Sequence, residues 1–378
     1  MKKILVVFGT RPEAIKMAVL AKELSQSFST KICVTGQHRE MLDQVLDVFE
    51  VKPDYDLNIM NSKNDLCDIT GLILNGVRDV LKDFKPDFVL VHGDTTTALS
   101  AATAAFYQQI PVAHIEAGLR TYNLNSPFPE EFNRRVISLI STYHFAPTNL
   151  AKKNLLKELK LEDNIYVTGN TVVDSLQKIV EKYKNVNFKD RIVRKLSFLN
   201  SKNSKNSKIP KIILVTGHRR ESFGKGFKGI CHALKEIALN YPDIKVVYPV
   251  HLNPNVSVVV NDILSKIDNV YLIPPLDYVS FVKLMNISYL ILTDSGGIQE
   301  EATSLGKPVL VMRDTTERPE AIEFGVIKLV GTNKESIVSE ATTLLEDENK
   351  YLSMAKSSNI YGDGHSNVRI RKILEKIV

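Results

Sequence analysis

Short apolar runs alternate with longer segments of helical apolar spacing through the first half of the chain: KKILVVF, KICVT, FVLVHG, PVAHIE and YHFAPT. Runs of this length, rich in Val, Ile and Phe, predict strands, and the three-to-four residue spacing between them predicts helices. Strand and helix in strict alternation predict a parallel, doubly wound sheet. After IYVTGNTVVDSL come KNVNFKDR and the Lys-rich, low-complexity SFLNSKNSKNSKIP, a polar stretch that reads as an exposed loop without chemistry. A second alternation starts at KIILVTG and continues through KVVYPVH, NVYLIPP, YLILTDS and PVLVMRD before two carboxyl-terminal helices. The pattern predicts an α/β protein of two Rossmann-like domains facing across a cleft, residues 1–168 and 169–358, with a hinge near Gly169.

Length agrees, since 378 residues exceed what one hydrophobic core usually organises. Hydrophobic residues at 44% and charged residues at 24% are ordinary globular values. The net charge of +6 comes from scattered lysines rather than one block, which points to a small anionic ligand and away from a nucleic-acid groove. Cys33, Cys67 and Cys231 are odd in number, distant and without CxxC spacing, so they read as reduced core residues rather than a disulfide framework or a zinc site. No apolar run approaches a membrane span, and MKKILVVFGTRPE turns charged too early for a signal peptide, which predicts a cytoplasmic protein with no membrane partner.

In an open α/β sheet, ligands bind beyond the carboxyl ends of the strands. Three acids fall there or close by: Asp94 ends FVLVHGD, Glu116 ends PVAHIE, and Glu130 follows in SPFPEE. A carboxylate directly after a buried strand is costly unless it is paired or employed. Asp94 also fits as the N-cap of the helix TALSAATAAF, and Glu130 and Glu131 suit a helical first turn through the dipole alone. Glu116 has no such account, because AGLR follows it.

The second half offers LTDSGGIQEE, in which Ser295, Gly296 and Gly297 open a helix after a strand and let backbone N–H groups approach a phosphate. The alternative is an ordinary turn with Asp294 or Ser295 as N-cap. Glu300 and Glu301, a turn further on, suit ribose hydroxyls. GHRRESFG puts His218, Arg219 and Arg220 at the same sheet edge, where they would neutralise a diphosphate; His251 ends another strand there. Arg-Pro-Glu-Ala-Ile occurs twice, at Arg11 and at Arg318, each time as a helix opening with an Arg beside the positive dipole end. Lys16 on the same helix strengthens the anion reading for Arg11, whereas Arg318 fits either an anion site or plain helix opening. Phe281 fits the core as well as a base-stacking platform. His92, His114 and His144 lie inside apolar runs and read as core residues. No H-x-x-x-H, H-E-x-x-H or G-x-G-x-x-G spacing is present, so neither a metal nor a nicotinamide cofactor is indicated.

Taken together, GTRPEAIKM, QHREMLDQVL, PDYDLNIM, VHGDTTT, HIEAGLRT, SPFPEE, TGNTVVD, TGHRRESFG, YPVHLNP, LTDSGGIQEEA, KPVLVMRDTTERPEA and YGDG resemble the non-hydrolysing UDP-N-acetylglucosamine 2-epimerases of bacteria, from the first strand to the last helix. The resemblance implies two Rossmann domains in the arrangement of the GT-B glycosyltransferases, with the final helix, 359–378, crossing back onto the first domain. It implies reversible conversion of UDP-N-acetylglucosamine (UDP-GlcNAc) to UDP-N-acetylmannosamine (UDP-ManNAc) without a cofactor, supplying cell-surface polysaccharide. Carried over by position, the catalytic residues fall on Asp94, Glu116, Glu130, His218 and Lys16, and the nucleotide contacts on Arg11, Phe281, Ser295, Gly296, Gly297 and Glu301. A second UDP-GlcNAc as activator would meet Gln37, His38 and His251, and a homodimer is implied. A hydrolysing epimerase, a glycosyltransferase using the same UDP-sugar, and a non-catalytic UDP-sugar-binding regulator remain alternatives, since fold alone does not separate them.

Overall fold

A computed structural model of the chain describes residues 1–36, 39–59, 65–159, 162–185, 196–200, 210–219, 222–356 and 359–377. The chain forms two units, Met1–Lys178 with Ile360–Val378, and Ile179–Asn359. Each is built on one parallel sheet with alternating helices, the α/β class the pattern predicts.

The first unit carries strands β1 (Lys3–Phe8), β2 (Ser29–Val34), β3 (Tyr55–Asp56), β4 (Phe88–His92), β5 (Val112–Ile115), β6 (Tyr143–Ala146) and β7 (Ile165–Val167) in the order β3-β2-β1-β4-β5-β6-β7. Its helices are α1 (Arg11–Leu24), α2 (Arg39–Phe49), α3 (Leu66–Phe84), α4 (Thr96–Tyr107), α5 (Glu130–Ile140), α6 (Asn149–Glu158) and most of α7 (Thr171–Lys182), whose last residues fall in the second unit. The chain winds outward from β1, returns to β4 and winds the other way, so the order reverses between β1 and β4. Helices leave that point on opposite faces and open a crevice beyond the strand ends.

The second unit repeats the scheme with β8 (Ile212–Thr216), β9 (Lys245–Pro249), β10 (Val270–Ile273), β11 (Leu290–Thr293), β12 (Val309–Val311) and β13 (Ile327–Leu329), ordered β10-β9-β8-β11-β12-β13. Its reversal lies between β8 and β11. The helices are α8 (Lys225–Asn240), α9 (Pro254–Leu264), α10 (Tyr278–Ile287), α11 (Gly296–Ser304), α12 (Pro319–Glu323), α13 (Lys334–Glu346) and α14 (Glu348–Met354); α15 (Ser366–Ile377) then belongs to the first unit.

Burial explains the apolar runs. Ile4 to Phe8, Val89 to Val91, Ile212 to Val215 and Leu290 to Leu292 are wholly or almost wholly enclosed, as strands covered on both faces require. The Ala-rich α4 lies flush on the sheet, with Ala98, Ala101, Ala102 and Ala105 inaccessible to solvent. Helix α1 starts with a capping box, Thr10 accepting from the Glu13 N–H while Glu13 reaches back, and Pro12 sits in the first turn. Helix α15 lies on α1, where Arg371 Nε donates to Glu23 at 2.8 Å.

Two expectations need correction. Cys67 is exposed on the first turn of α3, whereas Cys33 and Cys231 are buried as expected. Beyond PVLVMRD the chain adds strand β13 and four helices rather than two helices alone. No helix among the described residues is long and apolar enough to cross a membrane.

His114 and His144 are register neighbours on β5 and β6. Burial holds His114 down at about 3; burial, then the charge of Arg120, holds His144 at about 4, against 6.5 for a free imidazole. Both are therefore neutral when folded, and their contribution is intact above about pH 6.5 and lost as pH falls towards their folded values. Neither ring nitrogen of His144 meets a hydrogen-bond partner among the described residues. Urea unfolding between pH 7 and pH 4.5 should show His144→Phe losing up to about 1.4 kcal/mol less per pH unit than the parent; parallel slopes would remove His144 from the acid response.

Candidate functional site

In the first unit the site grows from the turns after β1, β4 and β5. Glu116 directly follows β5 with φ of +61°, a left-handed backbone that a side chain adopts only when its surroundings enforce it. Its carboxylate is almost fully enclosed. Oε2 forms a short ion pair with Lys16 Nζ, which α1 delivers from a buried position, and accepts from Asn170 Nδ2 at 2.7 Å. His92 Nε2 stands 3.5 Å from the same oxygen. A buried carboxylate with a cation and an amide on one oxygen has a fixed orientation, which is what proton transfer to a defined carbon requires.

Glu13 ties the turns together. Its carboxylate accepts from the Gly9 N–H at 3.1 Å, the Thr10 N–H at 2.9 Å, Thr10 Oγ1 at 2.8 Å and Thr95 Oγ1 at 2.8 Å, joining the turn after β1 to the turn after β4. Burial raises its pKa, against the opposing pull of these donors and of His92.

Asp94 is not the N-cap of α4. Thr95 takes that role, accepting from the Ala98 N–H at 3.0 Å. Asp94 Oδ2 instead meets Arg134 Nη2 at 2.5 Å, and its backbone carbonyl accepts from Asn133 Nδ2 at 2.8 Å. Glu130 is the half-buried first residue of α5. Glu131 is wholly buried and accepts from the N–H groups of Thr121 and Tyr122, each at 3.0 Å, which fastens the loop ahead of α5. Arg11 opens α1, half-buried. Lys16, Asp94 and Glu116 thus gather where the sheet order reverses; Gln37 and His38 lie outside the described residues.

In the second unit Asp294 does the organising. It is fully buried, and Oδ2 accepts from the N–H groups of His218 at 2.7 Å and Arg219 at 2.8 Å, so it shapes the turn after β8 instead of capping α11. Ser295 occupies the N-cap position without a side-chain cap bond. The His218 ring stacks on His251, centroids 5.2 Å apart and planes 9° from parallel. Burial, then the neighbouring His218, lowers the His251 pKa. Two histidines that the resemblance assigns to different ligands are therefore in contact.

Arg318 resolves towards packing. Its Nε donates to Glu300 Oε1 at 2.7 Å and its Nη1 to Glu317 Oε2 at 3.4 Å. Burial would raise the Glu317 pKa, but Arg318 and Arg313 outweigh it and hold the group at about 2. Glu300 is thereby engaged by an arginine. Glu301 Oε1 accepts the Tyr278 hydroxyl at 2.7 Å, and Phe281, half-buried, lies one turn along α10 from that tyrosine. Gly296 permits this packing, since a Cβ there would come within 2.5 Å of Arg318 Nη1; Gly297 faces open space.

Sequence reasoning passed over Glu13, Arg134, Asn170 and Tyr278, and read His92 as a core residue. Arg134 carries a signal, being four residues after Glu130 and so on the same face of α5. His92 looks like core because it ends an apolar run, and it is buried, but its ring addresses Glu116. No group of three residues suited to hold a metal ion occurs among the described residues.

Comparison with known proteins fits this geometry. Residues 22–375 match the family model described as UDP-N-acetylglucosamine 2-epimerase. The UDP-N-acetylglucosamine 2-epimerase of Campylobacter jejuni is 57% identical over 378 residues, covering 99% of this chain and 98% of that protein. Among solved structures, UDP-GlcNAc 2-epimerase from Neisseria meningitidis bound to UDP-GlcNAc superposes with a TM-score of 0.93 at 53% identity, covering 99% of this chain and 100% of that one. The Methanocaldococcus jannaschii enzyme in complex with UDP-GlcNAc and UDP gives 0.84 at 34% identity, covering 99% of each chain.

Gly296→Ala should displace the Arg318 guanidinium from a buried ion-pair network and cost about 1–3 kcal/mol in urea unfolding. Unchanged stability would show that the Arg318 contact is dispensable to the start of α11.

Proposed function

This chain belongs to the UDP-N-acetylglucosamine 2-epimerase family, and from that premise we propose that it interconverts UDP-GlcNAc and UDP-ManNAc by a non-hydrolysing route. The observation that carries the reading is Glu116, a buried carboxylate held in a left-handed backbone by Lys16 and Asn170.

The proton on C2 of the sugar has no adjacent carbonyl to acidify it, so its removal demands simultaneous departure of the group on C1. A carboxylate takes the C2 proton, the C2–H electrons form the C1=C2 bond, and the C1–O bond breaks with its electron pair passing to UDP. The product pair is 2-acetamidoglucal and UDP. Return of a proton to the opposite face of C2, with UDP re-adding at C1, gives the epimer. Positive groups stabilise the departing diphosphate and carboxylates stabilise an oxocarbenium-like C1. Two faces of one carbon need more than one acid/base group, and Asp94, Glu116 and Glu130 supply that number.

In this reading Lys16 fixes Glu116, and the pairing of Asp94 with Arg134 sets its orientation. Arg11, His218, Phe281, Ser295, Gly296, Gly297 and Glu301 hold the nucleotide, with the donors at the start of α11 suited to a phosphate. Glu301 and Phe281 contribute from helices that the Tyr278 hydroxyl links. A second UDP-GlcNAc acts as activator at Gln37, His38 and His251, and the contact between the His218 and His251 rings supports communication between the two ligands. The enzyme works as a cytoplasmic homodimer.

Incubation with UDP-GlcNAc in heavy water tests the reading. Deuterium should appear at C2 of both recovered UDP-sugars, with no accumulation of free sugar. Release of free N-acetylmannosamine would establish hydrolysis instead, and absence of exchange would leave binding or glycosyl transfer. Glu116→Gln should lower C2 exchange by about 10²–10⁴-fold while UDP still binds; exchange at the parental rate would remove Glu116 from catalysis.

A further inference from the structure

Asn170 contacts Glu116, and every polar group it possesses is engaged. Its side-chain Nδ2 donates to Glu116 Oε2 at 2.7 Å, and its Oδ1 accepts from the Val172 N–H at 3.0 Å at the start of α7. Its backbone N–H donates to the Tyr361 carbonyl at 2.6 Å, and its own carbonyl accepts from Ser366 Oγ at 3.4 Å. The residue is 2% exposed. With an N–H on one amide atom and a carboxylate on the other, the side chain has a single orientation.

Those last two partners lie where the chain re-enters the first unit at Ile360. The approach there is backbone against backbone. Gly169, at φ of +87°, has room for no Cβ: one would stand 2.6 Å from Ser366 Oγ and 3.1 Å from Gly362 Cα. Gly362, at φ of +123°, faces it with 3.3 Å between a Cβ and Gly169 Cα. Asp174 completes the clasp by accepting from the N–H groups of Ser366 at 3.2 Å and Asn367 at 2.9 Å, which starts α15. The clasp thus joins the segment at residues 169–174 to the segment at residues 361–367, and its hydrogen bonds reach a carboxylate of the site in one step.

We propose that Asn170 is a positioning residue for Glu116, through which the returning chain at Tyr361 and Gly362 is coupled to proton transfer at C2. The inference rests on the reading of Glu116 as a catalytic group. It makes the carboxyl-terminal crossover part of the catalytic apparatus: displacement of the crossover moves the backbone of Asn170, and the amide carries the displacement to Glu116.

The test uses the full-length enzyme with four variants: Asn170→Asp, Asn170→Ser, Gly362→Ala and the double variant Asn170→Asp with Gly362→Ala. Asn170→Asp keeps the volume and the acceptor for Val172 but removes the donor to Glu116; Asn170→Ser gives a second reading should the aspartate disturb folding. Urea unfolding identifies any variant that is merely destabilised. The expected result is a fall in kcat for epimerisation and in C2 deuterium uptake of about 10- to 100-fold for either Asn170 variant, with KM for UDP-GlcNAc and the Kd for UDP within about twofold of the parent. Gly362→Ala should lower kcat in the same direction, and the double variant should be no slower than the worse single, because both act on one linkage. Parental kcat in folded Asn170 variants, or single effects that multiply in the double variant, would overturn the proposal. Glu116→Gln run in parallel separates the two levels. If it abolishes exchange while the Asn170 variants behave as parent, only the positioning role fails; if it leaves exchange intact, the catalytic reading of Glu116 and the inference fall together.

Discussion

The structure of the first unit turns on one buried ion pair, Lys16 with Glu116. Two charges removed from water are tolerated only when they meet each other and when further donors complete the set; breaking such a pair typically costs 3–5 kcal/mol. Here Asn170 supplies that further donor, and the His92 ring stands nearby at 3.5 Å. The pair goes with a left-handed residue directly after β5, an α1 that begins close enough to deliver Lys16, and an Asn170 clasped from behind. Each has its counterpart in the chain: a left-handed backbone at Glu116, a capping box with proline at the start of α1, and glycines at both 169 and 362.

The two units solve the same problem in parallel ways. In each, a buried acid accepts backbone N–H groups from the turn after the central strand: Glu13 from Gly9 and Thr10, Asp294 from His218 and Arg219. In each, a threonine pair bridges neighbouring turns or strands, Thr35 with Thr97 at 3.0 Å and Thr216 with Thr293 at 2.6 Å. Gly9 is required by the first pair, since a Cβ there would stand 2.0 Å from Thr35 Oγ1. Buried carboxylates that accept backbone N–H groups set the shape of a turn without claiming the surface, so the remaining side chains of that turn stay available for a ligand.

The alternation of apolar runs made both sheets legible, because strands covered on two faces must be continuously hydrophobic. Strands β3, β7 and β13 have only two or three residues and carry no readable period. Asp94 and Glu116 stood out as acids directly after buried strands. Asn170 and Glu13 did not, because their roles depend on partners 54 residues away in one case and 82 in the other. His92 was read as core because it lies inside an apolar run, and it is buried, yet burial did not decide what its ring faces. Arg318 shows the converse: a repeated helix opening fits an anion site as well as plain packing until Glu300 and Glu317 are seen to occupy the guanidinium.

In the proposed elimination, loss of the C2 proton is inseparable from cleavage between C1 and the diphosphate oxygen. Positional isotope exchange tests that link most directly, using UDP-GlcNAc with ¹⁸O in the bridge between C1 and the β-phosphorus. If UDP departs and returns, the label must migrate into the non-bridging oxygens of the β-phosphate at a rate comparable to epimerisation. Label that stays in the bridge while C2 exchanges its proton with solvent would contradict the account.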